Sequence, residues 1–225
     1  MFTSPRVELI AHTSIVPAAI DHYMPIQDSS TPAETLTTFA GRACYQSFDR
    51  PNPNTKEDAD YLKRTLFEQN HWSIAEHATA SIYITGVSRA LTHELIRHRH
   101  LSYSQLSQRF VDEKDANFVC PPAIVNMADE RHFLDTSGTA SALDYEELVH
   151  RLTDAGLPRK QAREAARAAL PNMTETRIVV TGNLRAWHEV IQRRTKPDAD
   201  AEMQYVMRMV NNQLHTIAPA IFDRM

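Results

Sequence analysis

Apolar and polar residues alternate through ATASIYITG (78–86), with Ala80, Ile82 and Ile84 on one side and Thr79, Ser81 and Tyr83 on the other. A period of two sends successive side chains to opposite faces, so this segment is expected to form a half-buried strand. VELIAHTSIV (7–16) and TETRIVVTG (174–182) read as two more strands, and FVC (118–120) as a short one stopped by Pro121 and Pro122. A loop carrying Pro17, Pro25 and Pro32 leads to a helix near 33–46. After the breaker PNPNT (51–55), Thr55 is placed to cap a helix running to about Asn70, with Asp58 in the capping-box position. Further helices are expected from about Ser88, near 141–155 and 159–169, and near 184–194 and 198–217. A few strands separated by helices, without internal repeats, indicate one α/β (α+β-like) domain over residues 1–225.

Helical spacing also sorts the cations. In the helix from Ser88, Leu91 and Leu95 share one side while His93, Glu94 and Arg97 share the other, where a surface Glu94–Arg97 pair is the simple reading. In RKQAREAARAALP (159–171), Arg159, Arg163 and Arg167 form a stripe beside Ala162, Ala165, Ala166 and Ala169. The alanines read as the packing side and the arginines as a solvated face, with Arg167 alone a candidate ligand group. In NLRAWHEVIQRR (183–194), Arg194 falls on the face of Trp187, Val190 and Ile191, whereas Arg193 does not. A guanidinium directed toward the core needs a partner, either a structural carboxylate or a ligand in a cleft.

Composition changes this picture in one place. The 225-residue chain has a net charge of −4, a pI near 6.2 and only ordinary hydrophobic and charged fractions. Of its 24 cationic residues 19 are Arg, whose planar fork grips phosphates and carboxylates through two N–H groups at once. Yet RHRHLSYSQLSQR (97–109) gathers three Arg, two His and three Ser with no acidic residue between Glu94 and Asp112. A solvated face interleaves both signs, so the missing negative charge is expected from outside the chain. Guanidinium, hydroxyl and amide groups together suit a phosphate.

Other chemistries fit less well. The five glycines are scattered, leaving neither GxGxxG nor GxxxxGK[ST], so side chains rather than a glycine loop would have to hold a nucleotide. His98 and His100 lie beside arginines that repel a cation, HExxH is absent, and no metal site is expected. Cys44 and Cys120 form no CxxC pair, and nothing near Cys120 in sequence would lower its pKa for nucleophilic work. The acidic pI argues against general nucleic-acid binding. Arg6, Glu8 and His12 spoil any signal peptide, and no run approaches the roughly 18 apolar residues that span a bilayer. A cytoplasmic protein, without membrane or nucleic-acid partner, is the expectation.

RHRHLSYSQLSQR resembles the RHRxxSxNxxSxR signature of the flavin-dependent thymidylate synthases at Arg97, His98, Arg99, Ser102, Ser107 and Arg109. Ser104 stands where the pattern has Asn and is given no ligand role. HWSIAEH (71–77) is similar to the family's upstream His-x-Ser/Thr-x-x-Glu-His segment, and ARAALP (166–171) and NLRAWHEVIQRR to its downstream ones. The resemblance implies that Ser73, Arg97, His98, Arg99, Asn183 and Arg185 contact FAD. It implies that Glu94, Arg97, Gln105, Leu106, Ser107, Gln108, Arg109, Arg167 and Arg194 surround dUMP, with Arg194 catalytic. Glu189 stands where the family often has Asn or His facing the flavin, and His71 falls near flavin and folate. The implied reaction methylates dUMP to dTMP with 5,10-methylenetetrahydrofolate and NADPH, without an enzyme cysteine. The implied architecture is a mixed, mainly antiparallel sheet flanked by helices, assembled into homotetramers with shared sites. The rival readings are a non-catalytic nucleotide- or RNA-binding module and a flavin enzyme with another acceptor.

Overall fold

The computed structural model describes residues 2–49 and 52–223, so Pro51 of the expected breaker lies outside the described residues. In chain order the elements are β1 (Phe2–Thr3), β2 (Arg6–His12), α1 (Pro17–Asp21), α2 (Pro32–Tyr45), α3 (Asp58–Leu62), β3 (Thr79–Ser88), α4 (Arg89–Leu95), β4 (Ser102–Gln105), β5 (Phe118–Val119), α5 (Ala128–Asp154), α6 (Arg159–Ala166), β6 (Glu175–Asn183), α7 (Leu184–Arg194) and α8 (Ala201–His215). Four strands form an antiparallel sheet in the order β2-β3-β6-β4, and β1 with β5 adds a small parallel pair. The domain is therefore a mixed, mainly antiparallel sheet flanked by helices. No helix among the described residues is long and apolar enough to cross a membrane.

The alternation along β3 is what builds the core. Ala80, Ile82 and Ile84 are at most 1% exposed, and register sets Ile82 opposite Val180 and Ile84 opposite Ile178 on β6. Leu184, Trp187, Val190 and Ile191 of α7 and Met203, Val206, Met207, Val210 and Leu214 of α8 belong to the same buried cluster. Trp187 is fully buried, and its indole N–H donates to the Ala80 carbonyl at 3.1 Å, which satisfies the polar end that burial would otherwise strand. Gly182 leaves room for Leu101: a Cβ there would overlap the Leu101 side chain. Leu101 is thereby seated against β6, and the run RHRHLS is held at the sheet.

Side chains fix the helix starts. Thr31 and Glu34 form a full capping box at α2, Asn183 Oδ1 accepts from Ala186 N at α7, and Asp200 Oδ1 accepts from Met203 N at α8. Ser88 caps α4 by accepting from Leu91 N, while its own N–H and hydroxyl donate to Glu202 of α8 at 2.8 and 2.6 Å. The buried Glu202 thus ties the junction of β3 and α4 to α8.

Several expectations are corrected. α3 begins at Asp58 rather than Thr55; Asp58 is buried inside the helix start, and its N–H donates to Gln27 instead of entering a capping box. The helix then widens into a π-turn over Lys63–Glu68 and ends before Asn70, which has φ of 59°. α5 starts at residue 128, thirteen residues before the expected 141, because only Gly138 and Tyr145 of its 27 residues are buried and its first half has no apolar face to reveal it. The first strand stops at His12, and Pro17 opens a short helix within what was read as a loop. Ser102–Gln105 is a strand although it carries no apolar alternation; pairing with β6, not burial, makes it one.

Gly86 sits at φ of 67° where the β3–β6 register shifts between Ile84 and Val87, and a Cβ there would fall on the Ser4 carbonyl. Gly86→Ala combines left-handed backbone strain with a clash against main chain, and is expected to cost about 2–4 kcal/mol of unfolding free energy in a urea titration.

Candidate active site

The surroundings of α4 organise the charged residues. Leu91 and Leu95 are buried as their spacing required, which turns Glu94 and the following turn outward. That turn is held by the Tyr103 hydroxyl, which lies 2.7 Å from the Leu95 carbonyl and 2.8 Å from that of His98. Burial pushes the Tyr103 phenol up to about 12, so it remains a donor.

Arg194 reaches this turn from the last residue of α7. Its Nη1 donates to Glu94 Oε2 at 2.9 Å, its Nη2 to the Glu94 carbonyl at 3.3 Å and its Nε to His98 Nε2 at 2.9 Å. The side chain is 18% exposed, so the buried cation required by periodicity has a structural carboxylate and still presents an edge to solvent. Glu94 thus pairs with Arg194, not with Arg97 as its helical spacing suggested. Desolvation, with Arg194 and then Arg193 adding repulsion, lowers His98 to about 4. Arg97 and Arg99 are exposed, and among the described residues neither side chain has an ion-pair or hydrogen-bond partner.

Gln105 lies at the end of β4, its amide N within 3.0 Å of Thr92 Oγ1 and 3.1 Å of Thr176 Oγ1. The Thr92 hydroxyl gives its single proton to the Arg89 carbonyl at 2.9 Å, so it can only accept from Gln105. The amide orientation is therefore fixed, and the Gln105 carbonyl oxygen has no hydrogen-bond partner among the described residues. Leu106 N donates to the Arg177 carbonyl and prolongs the β4–β6 pairing by one residue. The chain then turns at Ser107, whose carbonyl accepts from Phe110 N and Val111 N and whose hydroxyl lies 3.4 Å from Arg109 N. Gln108 is buried with its amide N unpaired.

This loop is clamped by a residue that sequence reading placed on a solvated face. Arg163 is buried; its Nη1 donates to the Phe110 carbonyl at 2.7 Å and its Nη2 to Asp112 Oδ2 at 2.5 Å. Its helical position explains the correction: it lies one residue from buried Ala162 and three from buried Ala166, whereas Ala165, expected on the packing side, is exposed. Arg109 Nε is 2.8 Å from Glu164 Oε2, an ion pair whose N–H is not aimed at the oxygen. Arg167 is exposed just beyond α6.

A second missed arginine opens α4. Arg89 has a buried Nη1 without a hydrogen-bond partner; burial lowers its pKa, the charge of Glu113 opposes that and the charge of Arg167 adds to it. Glu113 is itself buried, and desolvation pushes it up to about 6 against the pull of Arg89. No motif contains Arg89, and only the unpaired donor in the folded chain draws attention to it. Arg89 thus adjoins Glu113 and Arg167 at the start of α4, while Glu94, His98 and Arg194 meet at its end.

Of the residues matched to FAD contacts, Ser73, Asn183 and Arg185 lie around two cavities. Ser73, exposed in the turn Trp72–Glu76, and Arg185 line one of about 820 Å³, together with His71, Trp72, His188, Glu189, Gln192, Arg193 and Lys196. Its wall includes Trp72 stacked on His188 at 4.0 Å. Asn183 and Arg185 line a smaller neighbour of about 220 Å³ that shares Glu189. Asn183 already uses its carbonyl oxygen as the α7 cap, which leaves its amide N–H groups. Arg185 is bridged to Glu76 at 2.7 Å and to Glu189 at 2.9 Å, so an anion at this guanidinium must compete with two carboxylates. Cations without internal partners, buried unpaired donors and a large mixed-polarity cavity suit an anionic, ring-bearing group. Arg97, His98 and Arg99 line neither cavity, and the residues matched to dUMP contacts outline an open strip along α4 and β4. Among the described residues no three His, Cys, Asp or Glu side chains gather where a metal could sit.

Comparison with known proteins bears on this arrangement directly. A family model described as "Thymidylate synthase complementing protein" matches residues 26–220. Flavin-dependent thymidylate synthases of Mycobacterium tuberculosis and Mycobacteroides abscessus are 50% and 48% identical over 228 and 227 residues. The first alignment covers 98% of this chain and 90% of the relative, the second 96% and 88%. Among solved structures, thymidylate synthase X from Helicobacter pylori, determined with FAD and dUMP, aligns at a TM-score of 0.67 over 98% of both chains with 22% identity, a likeness of fold. Identity at this level over nearly the whole chain, together with the family model over residues 26–220, shows that the chain belongs to the flavin-dependent thymidylate synthase family.

Proposed function

We propose that this protein is a flavin-dependent thymidylate synthase that methylates dUMP to dTMP, with 5,10-methylenetetrahydrofolate as carbon donor and NADPH as reductant. Residues 1–225 act as one synthase domain, in the cytoplasm, as a homotetramer whose sites combine residues of several chains. The observation that carries the reading is Arg194: a guanidinium held by Glu94 and His98, with further N–H groups still free at its exposed edge. The exposed Phe110, Val111, Phe133 and Leu143 support assembly, since large apolar side chains on helix and loop surfaces favour contact with another chain.

In this reading Arg97 and Arg99 supply the cations that lack an internal partner and hold the cofactor's phosphates, with Ser73, Asn183 and Arg185 at the adjoining cavities and His98 beside the flavin. Bound FAD supplies hydride chemistry. The nucleotide lies along α4, with Ser107, Gln108, Arg109 and Arg167 toward its phosphate and Glu94, Gln105 and Arg194 toward its sugar and base; Leu106 adds main chain to the same strip. Arg194 cannot lose its proton, so it stabilises negative charge as it develops on the pyrimidine and makes C5 reactive toward the one-carbon unit. A cysteine is not needed for this activation. Cys44 is exposed, Cys120 is a half-buried thiol against the Pro121 carbonyl, and neither lines the strip or the two cavities.

Purified protein incubated with dUMP, methylenetetrahydrofolate and NADPH is expected to form dTMP and to be yellow; colourless protein that forms none overturns the assignment. Arg194→Ala is expected to bind FAD with no more than about a tenfold loss of affinity but to lose about 100-fold or more in turnover at saturating FAD, as when a preorganised transition-state donor is removed. Arg109→Ala is expected to weaken dUMP binding about 10- to 100-fold in a titration, the worth of a charge-assisted hydrogen bond, with little effect on bound flavin.

A further inference from the structure

The contact between Arg194 and His98 determines more than the position of the arginine. An arginine Nε–H can only donate, so the imidazole nitrogen 2.9 Å away must carry a lone pair. A 180° flip of the ring would set Cε1, which has no lone pair, against the guanidinium and leave the Nε–H without its acceptor, so the same contact selects this ring orientation. A cationic imidazole has no lone pair to give and would be repelled by the arginine. The ring is thus neutral, and its one proton sits on the nitrogen turned away from Arg194. That second nitrogen has no hydrogen-bond partner among the described residues, while the His98 main chain is fixed by Tyr103.

We propose that Arg194 is also a positioning residue, which locks His98 in the neutral Nδ1–H tautomer so that His98 meets the flavin as a hydrogen-bond donor to an acceptor atom. The flavin half rests on the function proposed above; the tautomer half rests on the geometry alone. One guanidinium then serves both ligands: its exposed edge faces the pyrimidine, and its Nε sets the polarity of the group that faces the cofactor. Glu94 completes the arrangement by fixing the guanidinium plane through its carboxylate and its carbonyl. The charged and titratable groups around the ring reinforce the neutral state: Arg193 and Arg194 come from α7, while Arg97, Arg99 and His100 adjoin it in the chain. Burial acts in the same direction, and Glu94, the nearby carboxylate, is committed to Arg194.

The test uses nitrogen-15 resonances of the histidine side chains, with the His98 signals among the chain's 11 histidines identified by their loss in His98→Gln. In flavin-free wild-type protein, one bare Nε2 and one protonated Nδ1 are expected throughout pH 5.5 to 8. Arg194→Met, which keeps bulk but cannot donate, is expected to show mixed tautomers and a titration moved up toward the ordinary histidine value near 6.5. Arg194→Lys, which can still donate, is expected to restore the single tautomer and serves as the folded control. A wild-type His98 protonated on Nε2, or titrating near 6.5, overturns the proposal.

A double-mutant cycle on FAD affinity tests the flavin half. Arg194→Met should lower affinity about three- to tenfold, the value of one hydrogen bond, but should have no further effect when His98 is already Phe. Equal losses in both backgrounds would mean that Arg194 does not act through His98 and would overturn the positioning role. Wild-type protein that takes up no FAD overturns the proposed function and the flavin half with it, while the spectra alone decide the tautomer.

Discussion

An arginine that cannot lose its proton, carried on the apolar face of a helix, is the constraint around which this fold is arranged. Trp187, Val190 and Ile191 pull α7 into the core, and the same periodicity carries Arg194 inward with them. A buried guanidinium without a partner costs several kcal/mol, so the chain has to deliver acceptors to that point. It delivers three: a carboxylate and a carbonyl from Glu94, and an imidazole nitrogen from His98. All come from the end of α4, nearly a hundred residues away in sequence, and the packing of α4 against β3 and of α7 against β6 makes the meeting possible.

The scaffold beneath is built to hold these ends still. β3 and β6 share the core of the sheet, and α4 leaves the end of β3 as α7 leaves the end of β6. Because the strands are antiparallel, the two helices depart from opposite ends of the sheet and their far ends can meet. Small-residue and polar devices fix the details: Gly182 admits Leu101, Trp187 donates to Ala80, and Glu202 grips Ser88 where strand becomes helix. On the solvent side of the sheet, Ser81 and Thr181 hydroxyls pair at 2.8 Å, which keeps a polar face in register without burying it.

How much of this was legible in the sequence depended on whether a residue's neighbours in the chain were also its neighbours in space. The alternation of β3, the inward Arg194 and the run of cations without acids all announced themselves locally, and the family resemblance pointed to four separate segments, 71–77, 97–109, 166–171 and 183–194, as parts of one site. Arg163 was misread because three arginines at helical spacing beside a row of alanines look solvated, and only the long-range Phe110 carbonyl and Asp112 carboxylate show it to be a clamp. β4 escaped notice because a four-residue strand with one exposed face and one only half-buried shows no apolar alternation, and the first half of α5 escaped because it lacks an apolar face. Arg89 left no trace in any motif; its interest lies in an unpaired buried donor beside Glu113, a property that exists only once the chain has folded.

The cations of the site divide by task, and the division follows from energetics. Arg163 and Arg194 are largely buried, and each has a carboxylate partner and carbonyl acceptors, which is the cost of holding a guanidinium in one orientation. Arg97, Arg99 and Arg167 are exposed, and among the described residues none has a carboxylate bound to it; an internal partner would have to be displaced before an anionic ligand could bind. Arg185 departs from that pattern, because Glu76 and Glu189 already occupy it from two sides. Exposed pairs of this kind hold weakly, so an incoming phosphate can replace them at modest expense, yet the second carboxylate leaves extra negative charge at the mouth of the cavity. Glu76 and Glu189 together outweigh the one guanidinium, so the Arg185 end carries excess negative charge while the Arg97 and Arg99 end stays cationic. An anionic ligand entering such a field is drawn toward the Arg97 and Arg99 end, beside the turn where Glu94, His98 and Arg194 meet.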